Sequence, residues 1–286
     1  MGLLTEGQRA ALKRGGFITL LTMLSAACGD SGGSTSAGPV LLPAASPVTI
    51  TGAVVANEVD NAQVRAYRVV DGVRADAPVA TASTNDSGRY SMTVPDCPEP
   101  CMLVLQATSG AFTNEFTGKI ETIPIDTPVR AGASDLGREA TIVLTTFTEA
   151  ALRDAESDGD LDAGDFTASN ATMARLILGA NSADHEASAT LLSTIPETTT
   201  AIPAPDNGHL DDQQRLYGLM LAGAAAYGNT NDTARAIAQD VADGVLDEQA
   251  DALSAAVTSI LASDLNNTGL HSATAVVNQN AQNLTL

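Results

Sequence analysis

The hydrophobic pattern of the chain changes its period near residue 145, and this change limits the folds that are open to it. Before that point, apolar residues alternate with polar ones over short runs separated by turn-forming residues, which predicts antiparallel β-strands. After it, apolar residues recur every three or four positions, the spacing of an amphipathic helix. We therefore expect an α+β protein of two domains, an antiparallel β-sandwich at residues 47–145 followed by an all-α helical bundle at residues 146–286.

The first domain is predicted to hold several short strands built from small aliphatic residues. Aromatic residues make up 3% of the chain and tryptophan is absent, so the core has to be assembled mainly from Ala, Val, Leu and Ile. Strands at intervals of about ten residues favour a small sandwich. The predicted strands are Val48–Val55, Ala62–Val70, Val79–Ser83, Arg89–Val94, Met102–Ala107 and Glu139–Leu144.

Two segments of this domain, Gly52–Tyr67 and Ala80–Tyr90, carry a family pattern. They resemble the carboxypeptidase regulatory-like domain, whose fold is a transthyretin-like sandwich related to the immunoglobulin-like sandwiches. In the second segment Thr84, Gly88 and Tyr90 match the hairpin motif of that family, although an asparagine stands where the family usually has Asp. The resemblance implies that Gly88 turns the chain with a positive φ and that Tyr90 packs into the sandwich. Such domains serve as spacers, stalks and accessory modules, so the resemblance implies a fold and no particular reaction.

The N-terminal residues have the features of an export signal. Residues 1–16 carry positive charges, and residues 17–24 form an apolar run that is too short to span a bilayer, which takes about 20 residues. The small residues that follow, ending at Cys28, resemble the bacterial lipoprotein box, in which the cysteine is acylated and becomes the new N-terminus. We therefore expect a signal peptide at residues 1–27 and a lipid on Cys28. The alternative is an ordinary signal peptide that leaves Cys28 as a spare thiol.

The segment after the cysteine indicates where the anchored protein resides. Residues 28–46 begin with a run rich in Gly and Ser, which predicts a flexible linker between the lipid and the sandwich. Gly29 directly follows the cysteine, and this resembles Gram-negative lipoproteins that are sorted to the outer membrane. We expect a lipid-anchored protein of the cell envelope at the outer membrane, on its periplasmic or its surface face.

The other two cysteines predict a disulfide. Without Cys28, the chain has an even pair, Cys97 and Cys101, in an oxidising compartment. Three residues separate them, which is enough for a bond if the chain turns. A zinc site would need further ligands, and no histidine lies near them in the sequence. We therefore expect a local disulfide that closes a small loop.

The second domain is predicted to consist of helices that pack closely through alanine and glycine. Thr146 or Thr148 is the expected cap of the first helix. Residues 187–209 contain three prolines and predict a long surface loop. The predicted helices are Phe147–Asp154, Phe166–Leu178, Asp211–Tyr227, Thr233–Ala242, Leu246–Leu261 and Ser272–Asn283.

The sharpest local motif is an acidic stretch between the first two predicted helices. Its spacing resembles the calcium loop of EF-hand and dockerin type, in which alternate oxygen ligands converge on a hard cation and a glycine, here Gly159, turns the chain. This makes Ca²⁺ the candidate cofactor. The candidate ligands are Asp154, Glu156, Asp158, Asp160 through its carbonyl, Asp162 and Asp165. The alternative is an acidic, solvated turn in a protein that is acidic throughout.

The charge balance limits the partners. The chain has 14 Lys and Arg against 34 Asp and Glu, a net charge of −20 that repels nucleic acids and anionic lipid headgroups. His185, His209 and His271 lack metalloprotease spacing, and the sequence contains neither a G-x-S-x-G elbow nor a Walker loop. We expect a membrane-anchored, non-enzymatic interaction or structural module for an envelope or matrix protein or a glycan. The alternative is an envelope hydrolase, or an accessory of one, that uses acidic residues and a metal.

Overall fold

The computed structural model describes residues 46–114, 117–178, 191–196, 212–242 and 250–262. These residues combine β-sheets, in which antiparallel pairing predominates, with several helices, so the α+β class is confirmed. Several features predicted from the sequence lie outside the described residues. They are the signal peptide, Cys28, the linker up to residue 45, Leu246, the helix Ser272–Asn283 and the three histidines.

The described strands include a counterpart of every predicted one. Three short strands, β3, β7 and β8, have no counterpart in the prediction. The strands are β1 (Val48–Ala53), β2 (Gln63–Val70), β3 (Val73–Arg74), β4 (Ala80–Ser83), β5 (Arg89–Val94), β6 (Leu103–Thr113), β7 (Ile120–Ile123), β8 (Val129–Ala133) and β9 (Glu139–Thr141).

The strands form two sheets that enclose an aliphatic core. The first sheet has the order β5-β1-β9, with β1 antiparallel to β5 and parallel to β9. In the second, β2 and β6 are central, β3 and β4 pair with β2, and β7 and β8 pair with β6. Alternation along β2 turns Val64 and Ala66 into the core between the sheets, where Leu103 and Leu105 of β6 meet them. This is the small aliphatic core that the composition predicts.

One detail of the predicted hairpin is wrong. β4 pairs with β2 and β5 pairs with β1, so the turn between them joins two different sheets and does not close a hairpin. Gly88 has a positive φ of 68°, as expected. The Asn85 side chain stabilises the turn, because its Oδ1 accepts hydrogen bonds from the backbone N–H of Ser87 at 3.1 Å and of Arg89 at 2.9 Å.

The helices in the described ranges agree with the prediction to within a few residues. The cap of the first helix is Thr145, neither of the two predicted residues. Thr145 Oγ1 accepts from the Thr148 N–H at 3.2 Å, and Thr148 Oγ1 accepts from the Thr145 N–H at 2.8 Å. The helices are α1 (Thr146–Ala155), α2 (Ala163–Leu178), α3 (Asp212–Tyr227), α4 (Thr230–Val241) and α5 (Ala250–Leu261), with a short 3₁₀ turn at Glu156–Asp158.

The predicted surface loop at residues 187–209 is partly wrong. Part of the predicted surface loop is buried, because Leu191 and Leu192 lie in the helical core. The close helix packing is confirmed where α3 crosses α5. A Cβ atom at Gly223 would lie 2.3 Å from Val257 Cγ2, so only glycine permits this approach.

The helices also pack on the outer face of the second sheet. Val69 of β2 and Val104 of β6 point away from the sandwich core and contact Leu152 of α1 and Phe166 of α2. Phe166 lies directly over Gly132 of β8, where a Cβ atom would be 2.5 Å from its ring. The second sheet is therefore buried on both faces, and all described residues belong to one compact unit. The division into two domains at residue 145 stays a prediction.

Candidate functional site

The acidic stretch forms a helix–loop–helix, as predicted. α1 ends at Ala155, and Gly159 adopts the left-handed conformation with φ of 84°. Leu161 is buried and donates its N–H to the carbonyl of Gly72 at 3.0 Å, which fixes the loop against the β2–β3 turn. The backbone of the loop thus follows the predicted course, with a sharp turn at the glycine and an apolar residue directed inward.

Two of the candidate ligands form a reciprocal cap at the start of α2. Asp162 Oδ1 accepts a hydrogen bond from the Asp165 N–H at 2.9 Å, and Asp165 Oδ2 accepts one from the Asp162 N–H at 2.9 Å. Carboxylates in this position satisfy backbone N–H groups that have no partner within the helix and interact favourably with its dipole. The structure therefore brings these two residues together and gives them a structural role.

The other candidate ligands diverge. Asp154 accepts a hydrogen bond from Ser169 Oγ at 2.7 Å, and Glu156 pairs with Arg130 at 2.8 Å. Asp158 Oδ1 accepts from the Asp160 N–H at 3.3 Å at the exposed side of the loop. Among the residues described, no three His, Cys, Asp or Glu side chains are grouped as they would be around a metal ion. Calcium binding therefore stays a prediction.

The sequence did not predict a buried cluster of charges that joins the sheet to the helices. Glu149 of α1 is 0% exposed and accepts two hydrogen bonds from Arg130 of β8, from Nε at 3.0 Å and from Nη2 at 2.9 Å. Arg130 also reaches Glu156. Arg153 Nε lies 2.7 Å from Glu149 Oε1, and its Nη2 donates to Asn231 of α4 at 2.9 Å. We call Arg130, Glu149, Arg153 and Glu156 the charge cluster.

The electrostatics of the charge cluster favour its ionised form. Burial lowers the pKa of the Arg130 guanidinium, but the hydrogen bonds and the opposite charges of Glu149 and Glu156 outweigh this effect. The pKa of Arg130 therefore lies above its ordinary value. The cluster lies under the contact of α1 with β8, and it fixes the helices on the sheet.

The edge of β8 is covered by polar side chains from the helices. Thr148 Oγ1 donates to the Arg130 carbonyl at 3.0 Å, and Asn170 Nδ2 donates to the Gly132 carbonyl at 3.4 Å. Asn231 Nδ2 donates to the carbonyl of Thr127, just before the strand, at 2.6 Å. Exposed strand edges can pair with other chains, so these side chains protect the edge.

A cleft of about 240 Å³ lies beside this edge. β8 and the end of β9 form one wall, and α2 with Leu192 and Ser193 forms the other. Among the described residues that line it, Arg175 is the one with a charge, and several threonine and serine hydroxyls lie beside it. We call this the Arg175 cleft.

The predicted disulfide between Cys97 and Cys101 is confirmed. Both residues are buried, and the bond closes the loop that links β5 to β6 across the two sheets. No protein-family model, curated protein or solved structure matches the chain. Across the ranges described, no helix has the length and apolar character needed to cross a membrane.

Proposed function

We propose that this chain is a lipoprotein anchored through Cys28 in the outer membrane, and that it acts as a non-enzymatic interaction or structural module of the cell envelope. The export signal, the lipobox and the Gly/Ser-rich linker support the anchor. The proposed arrangement is a transthyretin-like sandwich near the membrane and a helical bundle beyond it.

One observation carries the choice of a structural module over a hydrolase. Three acidic side chains near the acidic stretch, among the residues described, are engaged in holding the fold together. Glu149 and Glu156 belong to the charge cluster, and Asp154 binds Ser169. Because these carboxylates are held by hydrogen bonds and ion pairs within the fold, they favour a rigid body that presents a surface to a partner.

Lipid labelling in a bacterial host tests the anchor. We expect the full chain to incorporate an alkyne-tagged fatty acid and to sediment with membranes, and we expect Cys28→Ala to lose both properties. The double variant Cys97→Ser and Cys101→Ser is the matched control, because it removes the other cysteines and should keep the label. Labelling of Cys28→Ala at the level of the unaltered chain would refute the proposed anchor.

Calcium is the proposed cofactor of this module. The backbone course around Gly159 fits a calcium loop, and Asp158, Asp160, Asp162 and Asp165 are the residues that could take part with little rearrangement. A full set of ligands would also require Asp154 and Glu156 to leave Ser169 and Arg130. We therefore expect weak binding, with a dissociation constant on the order of 0.1–1 mM, as in extracellular modules.

A further inference from the structure

Among the residues that the structure describes, the Arg175 side chain has no partner for its positive charge. Its guanidinium forms no hydrogen bond or ion pair with them, and those that line the cleft include no carboxylate. In a protein with a net charge of −20, an arginine in a cleft without an acidic neighbour is unusual. A guanidinium is a rigid, planar donor whose geometry matches a carboxylate. The charged part of a ligand for this cleft is therefore an anion.

Two hydroxyl groups of the cleft have their protons engaged. Ser134 and Thr167 both donate to the Ala163 carbonyl. Their oxygen lone pairs can therefore accept hydrogen bonds from a ligand that brings its own hydroxyl protons.

Further groups complete the polar lining. The side-chain hydroxyls of Thr141 and Ser193 form no hydrogen bond within the residues described, so they can both donate and accept. Asn170 uses one N–H on the Gly132 carbonyl, and its amide oxygen can accept from a ligand. The cleft thus offers one cation and many hydroxyl partners, while Ile142 and Leu192 provide an apolar surface beside them.

We propose that the Arg175 cleft binds a small sugar acid. The carboxylate pairs with Arg175, the sugar hydroxyls bind the threonine, serine and asparagine oxygens, and the C–H face of the ring packs on Ile142. The cleft is smaller than the roughly 300–1,000 Å³ that holds a drug-sized ligand, so a single sugar unit is the appropriate size. This proposal does not rest on the lipid anchor, because every residue it uses lies in the described fold.

Binding of three probes tests this proposal. The protein is the full chain carrying Cys28→Ala, and the probes are D-glucuronate, D-glucose and acetate, titrated by calorimetry and by ligand-observed NMR. We expect D-glucuronate to bind at least about ten-fold more tightly than either of the other two, because each of them lacks half of the recognised groups. Equal binding of acetate would leave a bare anion site and overturn the sugar-acid assignment.

Three variants locate the site. Arg175→Gln should weaken D-glucuronate binding at least about ten-fold, and Arg175→Lys should restore part of it. Arg235→Gln on α4 is the matched control, because that exposed arginine pairs with Asp232 outside the cleft and its loss should leave binding unchanged. Thr141→Val tests a second wall of the cleft and should also weaken binding. Unchanged affinity in both Arg175→Gln and Thr141→Val, or no saturable binding of D-glucuronate, would refute the proposal.

Discussion

Gly52 lies directly opposite Tyr90 in the pairing of β1 with β5, and the absence of a side chain at Gly52 leaves the space that the tyrosine hydroxyl occupies. Tyr90 Oη donates a hydrogen bond of 2.6 Å to the carbonyl oxygen of Ile142. A Cβ atom at residue 52 would lie 1.8 Å from that oxygen and 2.8 Å from Tyr90 Oη. The two residues therefore form one packing unit that ties β1, β5 and the segment after β9 together.

This relationship predicts the effect of Gly52→Ala. The added methyl group collides with backbone that cannot move away easily, so we expect the free energy of unfolding to fall by about 1–3 kcal/mol or more. Urea denaturation measures it. Gly137→Ala is the matched control, because the nearest atom to its new Cβ is 3.9 Å away and no collision follows. A Gly52→Ala variant as stable as the control would contradict the packing unit.

Two buried tyrosines predict a loss of stability in alkaline solution. Burial raises the pKa of Tyr90 and of Tyr217 above the ordinary value, and for Tyr217 the hydrogen bond between its hydroxyl and that of Thr145 opposes the shift without cancelling it. The unfolded chain loses these protons near pH 10 while the folded chain keeps them. Their contribution to the free energy of unfolding is therefore fully present below about pH 10 and is lost as the pH rises further.

Replacing both tyrosines with phenylalanine checks this prediction. Chemical denaturation between about pH 9 and pH 11.5 should show a shallower decline of stability in the double variant than in the unaltered chain. The same pair of proteins compared at pH 7 gives the cost of the lost hydrogen bonds alone. If the free energy of unfolding fell equally with pH in both proteins, neither tyrosine would be the cause of the alkaline loss of stability.

The charge cluster predicts a large effect for Glu149→Ala. This change leaves Arg130 buried with only Glu156 as a partner, so we expect a loss of about 3–5 kcal/mol. Arg235→Ala, which breaks an exposed ion pair of 2.8 Å with Asp232, should cost no more than about 1 kcal/mol. Thermal and urea unfolding of both variants measure the difference. Similar losses of unfolding free energy in the two variants would mean that the buried pair stabilises the fold no more than an exposed ion pair does.

Calcium should stabilise the protein slightly if the acidic loop binds it. With a dissociation constant of about 1 mM, adding about 10 mM Ca²⁺ raises the free energy of unfolding by about 1.4 kcal/mol. This corresponds to a rise of a few degrees at most in the unfolding temperature. Asp158→Ala should abolish the shift, whereas Asp86→Ala, at an exposed turn of the sandwich, should keep it. A shift that persists in Asp158→Ala would place the ion elsewhere.

Local periodicity was sufficient to predict most of the elements. β5 was predicted with its observed bounds, because Tyr90, Met92 and Val94 alternate with polar residues along it. The stripe of α5 is confirmed at Leu253, Val257 and Ile260, which are buried. These elements carry their own pattern, since each presents one apolar face to one core.

The missed strands carry no such pattern. β8 has the sequence Val-Arg-Ala-Gly-Ala, and its two faces meet different partners, the sandwich core on one side and the helices on the other. Arg130, the second residue of this strand, is typical of a solvent-exposed position in the sequence, and only the fold brings Glu149 of α1 beside it. A strand whose character depends on residues distant in the sequence cannot be recognised from its own residues.

In the acidic loop, too, the sequence predicted some features and the tertiary structure determined the others. The sequence determined the glycine turn, the buried leucine and the acidic spacing, because these follow from backbone conformation and local burial. Only the tertiary structure decided where the carboxylates point: Glu156 turns to Arg130 of β8, and Asp154 turns to Ser169 of α2. The sequence likewise carried the leader, the lipobox and the cysteine pair, since these are linear patterns. The charge cluster and the Arg175 cleft arise only where a sheet and helices meet. Their side chains come from elements that are distant in the sequence, and the spacing of residues along the chain does not show which elements pack together.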